Sequence, residues 1–382
     1  MMMKKFLFCL VALFLLFSCE ENVKTPEITG VIDHFGFHGD IYPSFNTQDV
    51  KNAGFEYGDI VKVEFEKLGT FVIPFTTAYS EVGVAGFSMC DYLERNEECT
   101  FSMFDASVID RLGGEIGEKI KVTMYEKGGY LDIHNTVKSV YSMNRSDFSS
   151  DEAFANFREV TTTGVMPKTL YRSCNPLNPN GNIRYKYADS LAASVGIKTE
   201  IDLADTKEKI EKNIASEGYL ASYCPELYRN GKVIALSMKA DVFTDESLAK
   251  IADGMRFMID NEAPYLVHCN EGKDRCGFFV MLLESLAGAD VQEVLDDYMQ
   301  TFINYYGFQK GDKAYDMALD MNGKRLVYLL ANPETMNHLG DFDCNTIDIT
   351  DINIYDAAVK YLLSAGLSQE EIAQLKAKIS VE

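Results

Sequence analysis

The segment LVHCNEGKDRCGF, residues 266–278, concentrates side chains that are capable of chemistry. A short apolar run ends at His268 and Cys269, and Arg275 follows after five intervening residues. A second apolar run begins after Cys276, so the pattern predicts a strand, a tight loop and a helix. In that order, the backbone N–H groups of the loop and the positive end of the helix dipole converge on one point.

Such a loop is suited to binding a tetrahedral oxyanion. Successive amides of residues 270–274 can point inward and form a concave anion site, and Gly272 allows the backbone to turn. Arg275 can bind two oxygens at once, which a lysine cannot do. The same positive field favours the thiolate form of Cys269, which beneath a bound phosphate is a nucleophile aimed at phosphorus. We expect His268 to hold the loop through its ring N–H rather than to act as a base.

The elements around this loop alternate in type. From about Asp151, strand-like segments alternate with helical stretches, which is typical of an α/β layer with parallel strands. Strands are predicted at IKTEIDL, KVIALSM and PYLVHC. Helices are predicted at RYKYADSLAASVG, TDESLAKIADGMRFMIDN, GFFVMLLESLAG, DVQEVLDDYMQTFINYY, AYDMALDMNGKRLVYLLAN, IYDAAVKYLLSAG and LSQEEIAQLKAKI. The fold class predicted is α/β, a sheet flanked by helices and followed by C-terminal helices.

Residues 27–135 have a different pattern, with alternation or β-branched and aromatic enrichment and no helical period of useful length. The strand-like segments are GDIVKVEFEKL, TFVIPFTTAY, KIKVTMYEKGG and YLDIHN. We predict a small all-β domain over residues 20–140 and an α/β domain over residues 141–382. Cys90 and Cys99 flank a segment that a disulfide could close.

Charge and cysteine content limit the partners. A net charge of −22 over 382 residues argues against nucleic acid, because phosphate backbones are bound by basic surfaces. No CxxC pair or Cys/His cluster has metal-ligand spacing, and we predict neither a metal nor a cofactor. His34 and His38 are interpreted as structural, because the Phe and Gly residues around them indicate a strand or turn.

The N-terminus predicts export. Lys4 and Lys5 precede an apolar run at residues 6–17, which is shorter than the roughly 20 residues that span a bilayer. The segment 1–19 therefore reads as a signal peptide, and Leu16 to Cys19 resemble a bacterial lipobox. The resemblance implies a lipid anchor at Cys19 in the bacterial cell envelope, with the periplasm and the cell surface both open. The alternative is a plain cleaved signal.

Residues 268–278 resemble the signature of the cysteine-dependent tyrosine phosphatases, specifically their bacterial group with a Gly-Lys-Asp-Arg loop. Further similar segments are FANFREV, LYRS, GIKTEIDLADTKEKIE, APYLVHCNEGKDR and VLDDYMQTFINYYG. The resemblance covers roughly residues 150–380 and implies a tyrosine-phosphatase-like sheet. The strand-rich region also resembles the β domain that some bacterial members carry.

The resemblance implies roles for individual residues. Cys269 would form a phosphocysteine, and Arg275 would bind the phosphoryl group and its transition state. Asp274 in the loop is the favoured general acid, and Asp241 after the strand KVIALSM is the alternative. The loop amides that would bind phosphate belong to Asn270, Glu271, Gly272, Lys273 and Asp274.

Other positions carry open alternatives. Lys273 resembles the lysine of phosphatases that accept phosphoinositides, which adds inositol phosphates to the possible substrates. Arg158 and Arg172 match family positions and either line the pocket or form salt bridges. Glu271 either contacts a substrate hydroxyl or caps the loop.

Cys276 stands where the family usually has Thr or Ser, whose hydroxyl stabilises the departing thiolate. A thiol is a weaker donor, so hydrolysis of the phosphocysteine is expected to be slow. Cys276 could instead form a reversible disulfide with Cys269 or another nearby thiol, or be a small residue buried at a helix start.

Three functions follow. The first is a phosphatase acting on phosphotyrosine in proteins or peptides, with dual specificity as an extension. The second is an inositol phosphate or phosphoinositide phosphatase that uses the same loop. The third is a non-catalytic, phosphate-binding lipoprotein.

Overall fold

The computed structural model describes residues 25–91, 98–138, 142–179, 183–338 and 347–381. The predicted signal peptide, the anchor position Cys19 and Cys344 lie outside these ranges. Within them, no helix is long and apolar enough to cross a membrane.

The N-terminal region is a closed seven-stranded barrel, a closure that the sequence analysis did not predict. Its strands follow the order β1-β2-β6-β5-β4-β3-β7, and all neighbours are antiparallel except β4 and β5. The strands are β1 (Glu27–Phe35), β2 (Ile41–Pro43), β3 (Ile60–Phe65), β4 (Gly69–Thr76), β5 (Phe87–Cys90), β6 (Thr100–Met103) and β7 (Lys119–Glu126).

The barrel closes because β1 pairs with β7 through its first half and with β2 through its second half. The register shifts between Ile32 and His34, and such a bulge bends a strand from one partner to the next. Side chains alternate in β3, where Val61 and Val63 point into the barrel core. In the closed barrel, each of the described strands has a hydrogen-bonded neighbour on both sides.

Three short helices accompany the barrel: α1 (Thr47–Asn52), α2 (Val108–Leu112) and α3 (Leu131–Val137). The prediction of a strand at YLDIHN was therefore wrong. In α3, the backbone N–H of His134 donates to the carbonyl of Tyr130. Nδ1 of the His134 ring lies 2.6 Å from the Glu81 carboxylate. This buried contact outside the strands favours the helix over the local β propensity.

The second unit is a mixed α/β layer with the sheet order β11-β10-β12-β9-β8. β9, β10, β11 and β12 are parallel, and only β8 runs antiparallel. The strands are β8 (Arg158–Glu159), β9 (Leu170–Ser173), β10 (Thr199–Asp202), β11 (Val233–Ala235) and β12 (Tyr265–His268). The helices around them are α4 (Asp151–Ala155), α5 (Arg184–Val195), α6 (Lys207–Ile214), α7 (Tyr223–Arg229), α8 (Asp245–Asp260), α9 (Asp274–Ala287) and α10 (Val291–Tyr306).

Helix α9 is the central helix of the layer, and its residues from Cys276 to Leu286 are all buried. A helix that is apolar on every side must be surrounded by other elements. In the described part of the chain, four α-helices follow: α11 (Lys313–Ala318), α12 (Arg325–Ala331), α13 (Ile354–Ser364) and α14 (Gln369–Ile379). A π-helical turn, Leu319–Lys324, joins α11 to α12, so the predicted single helix there is continuous but widened.

The barrel packs directly on the α/β layer, and one apolar core runs through both. The π-helical turn is one contact point, because the Val84 amide donates to the Met321 carbonyl at 2.9 Å. Arg325 donates to the carbonyls of Val82 and Val84 at 3.0 and 3.1 Å. The barrel therefore forms one wall of the space between itself and the α/β layer.

Candidate active site

The quoted loop connects the middle strand of the sheet to the buried helix. β12 ends at His268, α9 begins at Asp274, and Cys269 follows the strand with 3% of its surface exposed. Because β12 lies between β10 and β9, the carboxyl ends of three parallel strands surround Cys269. Ligands of open α/β sheets bind at this edge.

Three carbonyl groups of the loop accept hydrogen bonds from residues that lie outside the loop. The amide of Asn175 donates to the Asn270 carbonyl at 3.2 Å, and Nδ2 of Asn156 donates to the Glu271 carbonyl at 2.9 Å. Nη2 of Arg172 donates to the Gly272 carbonyl at 2.8 Å. With their carbonyls held outward, successive peptide groups turn their N–H groups toward the centre of the loop.

Arg172 and Arg158 both form ion pairs with Asp297. Arg172 is fully buried, and its Nη1 is bound to the Asp297 carboxylate on α10. Nε of Arg158 donates to the same carboxylate at 2.8 Å, and its Nη1 donates to Oδ1 of Asn156 at 2.7 Å. Burial raises the pKa of Asp297, but the two guanidinium groups outweigh it, so the net shift is downward. The salt-bridge alternative is therefore the one that the structure supports.

Gly272 allows the loop to approach strand β9. Its φ is +75°, in the left-handed region, and a Cβ atom there would lie 2.3 Å from the Ser173 carbonyl oxygen. A side chain at this position would displace the loop from β9.

His268 does not hold the loop through its ring, contrary to the expectation. Its Nε2 contacts Oε1 of Glu200 on β10 at 2.8 Å, and its Nδ1 lies 3.9 Å from the Asp202 carboxylate. Burial lowers the pKa of His268, but Asp202 and Glu200 outweigh it and leave the pKa raised. The reason for the error is that the ring points across the sheet to the neighbouring strand.

Arg275 and Asp241 are each held by hydrogen bonds to residues outside the loop. Nη1 of Arg275 donates to the Met238 carbonyl at 2.8 Å, which fixes one end of the guanidinium group. Asp241 is 1% exposed, and both of its oxygens accept from Arg111 of the barrel, at 2.9 and 2.8 Å. Asp241, the alternative general acid, is thus held by Arg111 in an ion pair with two hydrogen bonds.

Lys273 lies in an aromatic enclosure rather than in open solvent. Its Nζ is 5.4 Å from the ring centre of Phe104 of the barrel and 5.7 Å from that of Phe302. The same Nζ donates to the Tyr306 hydroxyl at 3.0 Å, which in turn donates to Glu271 at 2.6 Å. Burial lowers the pKa of Lys273, but Asp274 and other neighbours outweigh it and raise the pKa well above its usual range. Glu271 therefore ties the loop to α10.

Asp274 begins α9 and keeps part of its side chain accessible. The side chain is 24% exposed, and Oδ1 lies 3.7 Å from Nζ of Lys273. Burial raises its pKa, and Glu271 raises it further against the opposing effect of Lys273 and Arg275. A carboxyl with a raised pKa holds its proton to higher pH, as a general acid requires.

Cys276 is fully buried, and its Sγ donates to the Val267 carbonyl at 3.3 Å. Burial raises its pKa to about 12, so it is a neutral thiol at ordinary pH. Cys269 and Cys276 are both free thiols, as is Cys99, which rules out the considered Cys90–Cys99 disulfide in this structure. No group of three or more His, Cys, Asp or Glu residues in the described ranges could hold a metal ion.

The sequence analysis did not single out four residues that shape the site: Asn156, Asp297, Phe104 and Asp105. Asn156 and Asp297 lay inside the segments FANFREV and VLDDYMQTFINYYG, but their spacing to the loop carried no signal. Phe104 and Asp105 belong to the barrel, more than 160 residues before the loop. Asp105 is 7% exposed, and its backbone φ is +51°.

Comparison with known proteins assigns the family. Residues 152–381 match a family model described as the tyrosine phosphatase family, and this match covers more than half of the chain. The chain therefore belongs to the tyrosine phosphatase family, which supports a phosphatase activity in general. No curated protein matches the chain.

Among solved structures, the chain resembles the crystal structure of an uncharacterized conserved protein from Thermotoga maritima at 12% identity and a TM-score of 0.24. The likeness covers 26% of this chain and 37% of that one. The chain thus matches little more than a third of that protein's length.

Proposed function

We propose that the chain hydrolyses phosphomonoesters, with phosphotyrosine in a protein or peptide as substrate, through a phosphocysteine on Cys269. The observation that carries this proposal is the outward tethering of the loop carbonyls at Asn270, Glu271 and Gly272. It leaves an inward ring of amides at the start of a 14-residue helix, directly beside the thiol of Cys269.

In the first step, the Cys269 thiolate attacks phosphorus, so that an S–P bond forms as the bond to the tyrosine oxygen breaks. The loop amides and Arg275 hold the three non-bridging oxygens, where charge develops. Asp274 gives its proton to the leaving oxygen, because an unprotonated phenolate leaves less readily.

In the second step, a water molecule attacks the phosphocysteine. Its proton passes to Asp274, an O–P bond forms, and the S–P bond breaks to release phosphate and the Cys269 thiolate. Asp274 is thus restored to its acid form, and the cycle needs no external reactant other than water.

The assignment of the acid to Asp274 rather than Asp241 follows from accessibility. Asp241 is 1% exposed and accepts from Arg111 through both oxygens, so neither oxygen is free to reach a substrate. Asp274 is not held in this way: Nζ of Lys273 lies 3.7 Å from its Oδ1, and its side chain is partly exposed.

Inositol phosphate is the second candidate substrate, and it depends on Lys273 as an extra cationic contact. Nζ of Lys273 is bound to Tyr306 and enclosed by Phe104 and Phe302, so its charge is already engaged. This arrangement favours phosphotyrosine. The third candidate, phosphate binding without turnover, rests on Cys276, whose S–H donates to Val267 instead of to Cys269.

We also propose that the protein is exported and anchored by lipid at Cys19, on the strength of the sequence LFSC after an apolar run. Labelling with a radioactive fatty acid tests this proposal. Incorporation in the native chain but not in Cys19→Ser is expected, whereas equal labelling of both would contradict it.

The decisive experiment uses the chain from residue 20 onward under reducing conditions. Phosphate release from a phosphotyrosine peptide and from an inositol hexakisphosphate is compared for the native protein, Cys269→Ser and the matched buried-thiol control Cys224→Ser. We expect release from the peptide, its loss in Cys269→Ser and its retention in Cys224→Ser. Preference for the inositol phosphate would support the second candidate, and phosphate binding without any release would support the third.

A further inference from the structure

One segment of the barrel, residues 103–111, makes two contacts with the elements that form the catalytic site. The segment follows β6 and runs into helix α2. Met103 and Ala106 form a bridge that closes a tight turn at its start. The connection between β1 and β2 is bound to its helix, because the Ile109 amide donates to the Gly39 carbonyl at 3.1 Å. The segment is therefore fixed to the barrel both at its turn and at its helix.

The first contact is made by Phe104, at the turn. Its amide donates to the Gly86 carbonyl at 3.1 Å, and its carbonyl accepts from the Ala85 amide at 2.7 Å. The centre of its ring lies 5.4 Å from Nζ of Lys273, within the distance at which an aromatic face attracts a cation. The cavity beside Lys273 measures about 20 Å³, which is room for one water molecule. The barrel thus limits where this side chain of the loop can lie.

The second contact is made by Arg111, in α2. Its Nε and Nη2 donate to the two carboxylate oxygens of Asp241 at 2.9 and 2.8 Å. The Ser107 amide donates to Oδ2 of the same carboxylate at 3.3 Å. The side chains of Arg111 and Asp241 are 12% and 1% exposed, so this pair is not a solvent-screened surface pair. The barrel therefore binds the side chain of Asp241 through three hydrogen bonds.

Asp241 belongs to the segment that follows β11, residues 236–243, and this segment supports Arg275. Nη1 of Arg275 donates to the Met238 carbonyl at 2.8 Å, and the Met238 amide donates to the Leu203 carbonyl at 2.8 Å. Ser237 has φ +46°, a left-handed conformation that persists only where the surrounding contacts enforce it. The position of the Met238 carbonyl, and with it that of Arg275, therefore depends on what holds this segment.

The α/β layer and the barrel hold the segment at different groups. Nζ of Lys250 donates to the Ser237 carbonyl at 2.7 Å, and the Ser247 hydroxyl donates to the Asp241 carbonyl at 2.6 Å. Both of these donors lie on α8 of the layer and bind the backbone. The barrel binds the side chain of Asp241 instead. Loss of the Arg111 contact is therefore expected to loosen the segment rather than to unfold it.

We propose that the barrel is a positioning element of the active site, in which Phe104 and Arg111 fix Lys273 and Arg275, the residues on either side of the proposed acid. Phe104 contacts Lys273 directly, whereas Arg111 acts on Arg275 through the segment that follows β11. Each of the two barrel residues acts through another residue, so both are positioning residues. This inference rests on the proposed function.

This arrangement predicts which part of catalysis depends on the barrel. In the proposed reaction, Arg275 and the loop amides bind the non-bridging oxygens, which are the same in free phosphate and in every phosphomonoester. A displaced guanidinium group therefore weakens binding and catalysis equally for good and poor leaving groups. A defect in proton transfer from Asp274 would instead affect only substrates with a poor leaving group.

The test uses the double variant Arg111→Ala with Asp241→Asn. Neutralising Asp241 avoids leaving a buried carboxylate unpaired, so stability recovers in part while the contact with the barrel stays broken. kcat/KM is measured on phenyl phosphate, whose poor leaving group needs a proton, and on 4-nitrophenyl phosphate, whose good leaving group does not. Affinity for inorganic phosphate is measured by titration calorimetry, which needs no turnover.

Lys127→Ala with Asp59→Asn is the matched control for the double variant. The carboxyl of Asp59 is also 1% exposed, and Nζ of Lys127 binds it at 3.1 Å, but both residues belong to the barrel. The control therefore removes an ion pair to a buried carboxyl without touching the segment that follows β11.

Phe104→Leu tests the other contact, because it keeps an apolar side chain and removes the aromatic face beside Lys273. Phe65→Leu is its matched control. Phe65 is 5% exposed, and the rings of Phe71 and Phe101 that lie against it both belong to the barrel.

We expect the double variant Arg111→Ala with Asp241→Asn to lose about tenfold in kcat/KM on both substrates and about tenfold in affinity for phosphate. Phe104→Leu should lose about threefold in the same three measurements, since one of several contacts of Lys273 is removed. Each control variant should keep the native values, even where urea unfolding shows that it is less stable than the native protein.

Native kcat/KM and phosphate affinity in the folded double variant and in Phe104→Leu would overturn the positioning role and leave the proposed function standing. A loss confined to phenyl phosphate would also overturn it, because the contact would then serve proton transfer. If the native protein binds phosphate but acts on neither substrate, the proposed function fails, and unchanged phosphate affinity in the variants would still overturn the positioning role.

A double variant that does not fold, as judged by circular dichroism, is replaced by Arg111→Lys. Lysine keeps the charge beside Asp241 but cannot reproduce the two-point contact of the guanidinium group. It should therefore show the same equal loss on both substrates, and native values in this variant would overturn the positioning role of Arg111.

Discussion

Nη2 of Arg172 lies 2.8 Å from the carbonyl oxygen of Gly272, and this contact joins strand β9 to the back of the catalytic loop. The Nη1 of the same side chain is bound to the Asp297 carboxylate on α10. The buried Arg172 is therefore placed to orient a peptide group of the loop.

This close approach makes Gly272 a sensitive position. In Gly272→Ala, the new Cβ would meet the Ser173 carbonyl at 2.3 Å, and the left-handed φ adds strain of about 1–3 kcal/mol. We expect the loop to shift and kcat/KM on the phosphotyrosine peptide to fall by about 10²-fold. Steady-state kinetics and urea unfolding measure the two effects.

Gly288→Ala is the matched control for this prediction. Gly288 also has a positive φ, of +116°, but a Cβ there would meet no atom within 4 Å. It should lose stability by about 1–2 kcal/mol and keep its kinetics. Equal kinetic losses in both variants would mean that the loop does not depend on its contact with β9.

Replacing Cys276 with Thr should accelerate the second half of the reaction. The thiol of Cys276 donates to Val267, so the departing Cys269 thiolate lacks a hydroxyl donor at this position. A hydrogen bond to a charged group contributes about 1.5–3 kcal/mol, which corresponds to a rate gain of about tenfold or more. Rapid-mixing kinetics should show a burst in the native protein and a smaller burst in Cys276→Thr.

Cys174→Ser is the control for Cys276→Thr, because Cys174 is another buried thiol, at the end of β9. It should leave the burst unchanged. A native protein without a burst would show that breakdown of the phosphocysteine is not the slow step.

The ion pair between Arg111 and Asp241 should matter for docking of the barrel rather than for proton transfer. Arg111→Ala leaves the buried Asp241 carboxylate without its two-point partner, which should cost about 3–5 kcal/mol in the free energy of unfolding. Denaturant titration measures this loss, and adding Asp241→Asn to Arg111→Ala should recover part of it.

Asp241→Asn alone separates the two candidate acids. If Asp274 is the acid, kcat for phenyl phosphate should change by no more than severalfold in this variant. A fall of about 10²-fold confined to the poor leaving group would instead assign the acid to Asp241.

His268 should make stability depend on pH. Its pKa is raised in the folded protein, so the native state binds more protons than the unfolded state above about pH 6.5. The stabilisation is fully present below that pH and is lost as the pH rises through the folded pKa. Urea unfolding at several pH values should therefore show falling stability in the native protein.

His268→Gln should have a flatter pH profile over that range and lower stability, because Glu200 then loses its buried ionic partner. His34→Gln provides a comparison at a surface histidine. A slope that stays the same in His268→Gln would show that another group causes the pH dependence.

The sequence was sufficient to predict the strand, loop and helix around Cys269, because their chemistry and periodicity are local. It predicted the α/β layer for the same reason. Residues that orient the loop were not predictable in this way: Asn156 precedes Glu271 by 115 residues, and only the folded sheet joins them. The ring of His268 was misassigned because register with Glu200, not sequence spacing, decides which strand it faces.

Local sequence patterns could not predict the closure of the barrel either. Closure depends on one strand, β1, which pairs with two partners on either side of a bulge. The segment YLDIHN has a strand-like sequence, but the buried contact between His134 and Glu81 favours a helix there. Both cases show long-range packing deciding between local options of similar free energy.

The π-helical turn at Leu319–Lys324 has a consequence for the order in which the site is assembled. The barrel is the first of the two units to be synthesised, yet Val84 and Val82 find their partners, Met321 and Arg325, only near the other end of the chain. These contacts between the barrel and the layer thus form only after both units and the π-helical turn have been synthesised. A chain stopped before the turn would carry the loop of Cys269 without the contacts to Met321 and Arg325 that fix the barrel beside it.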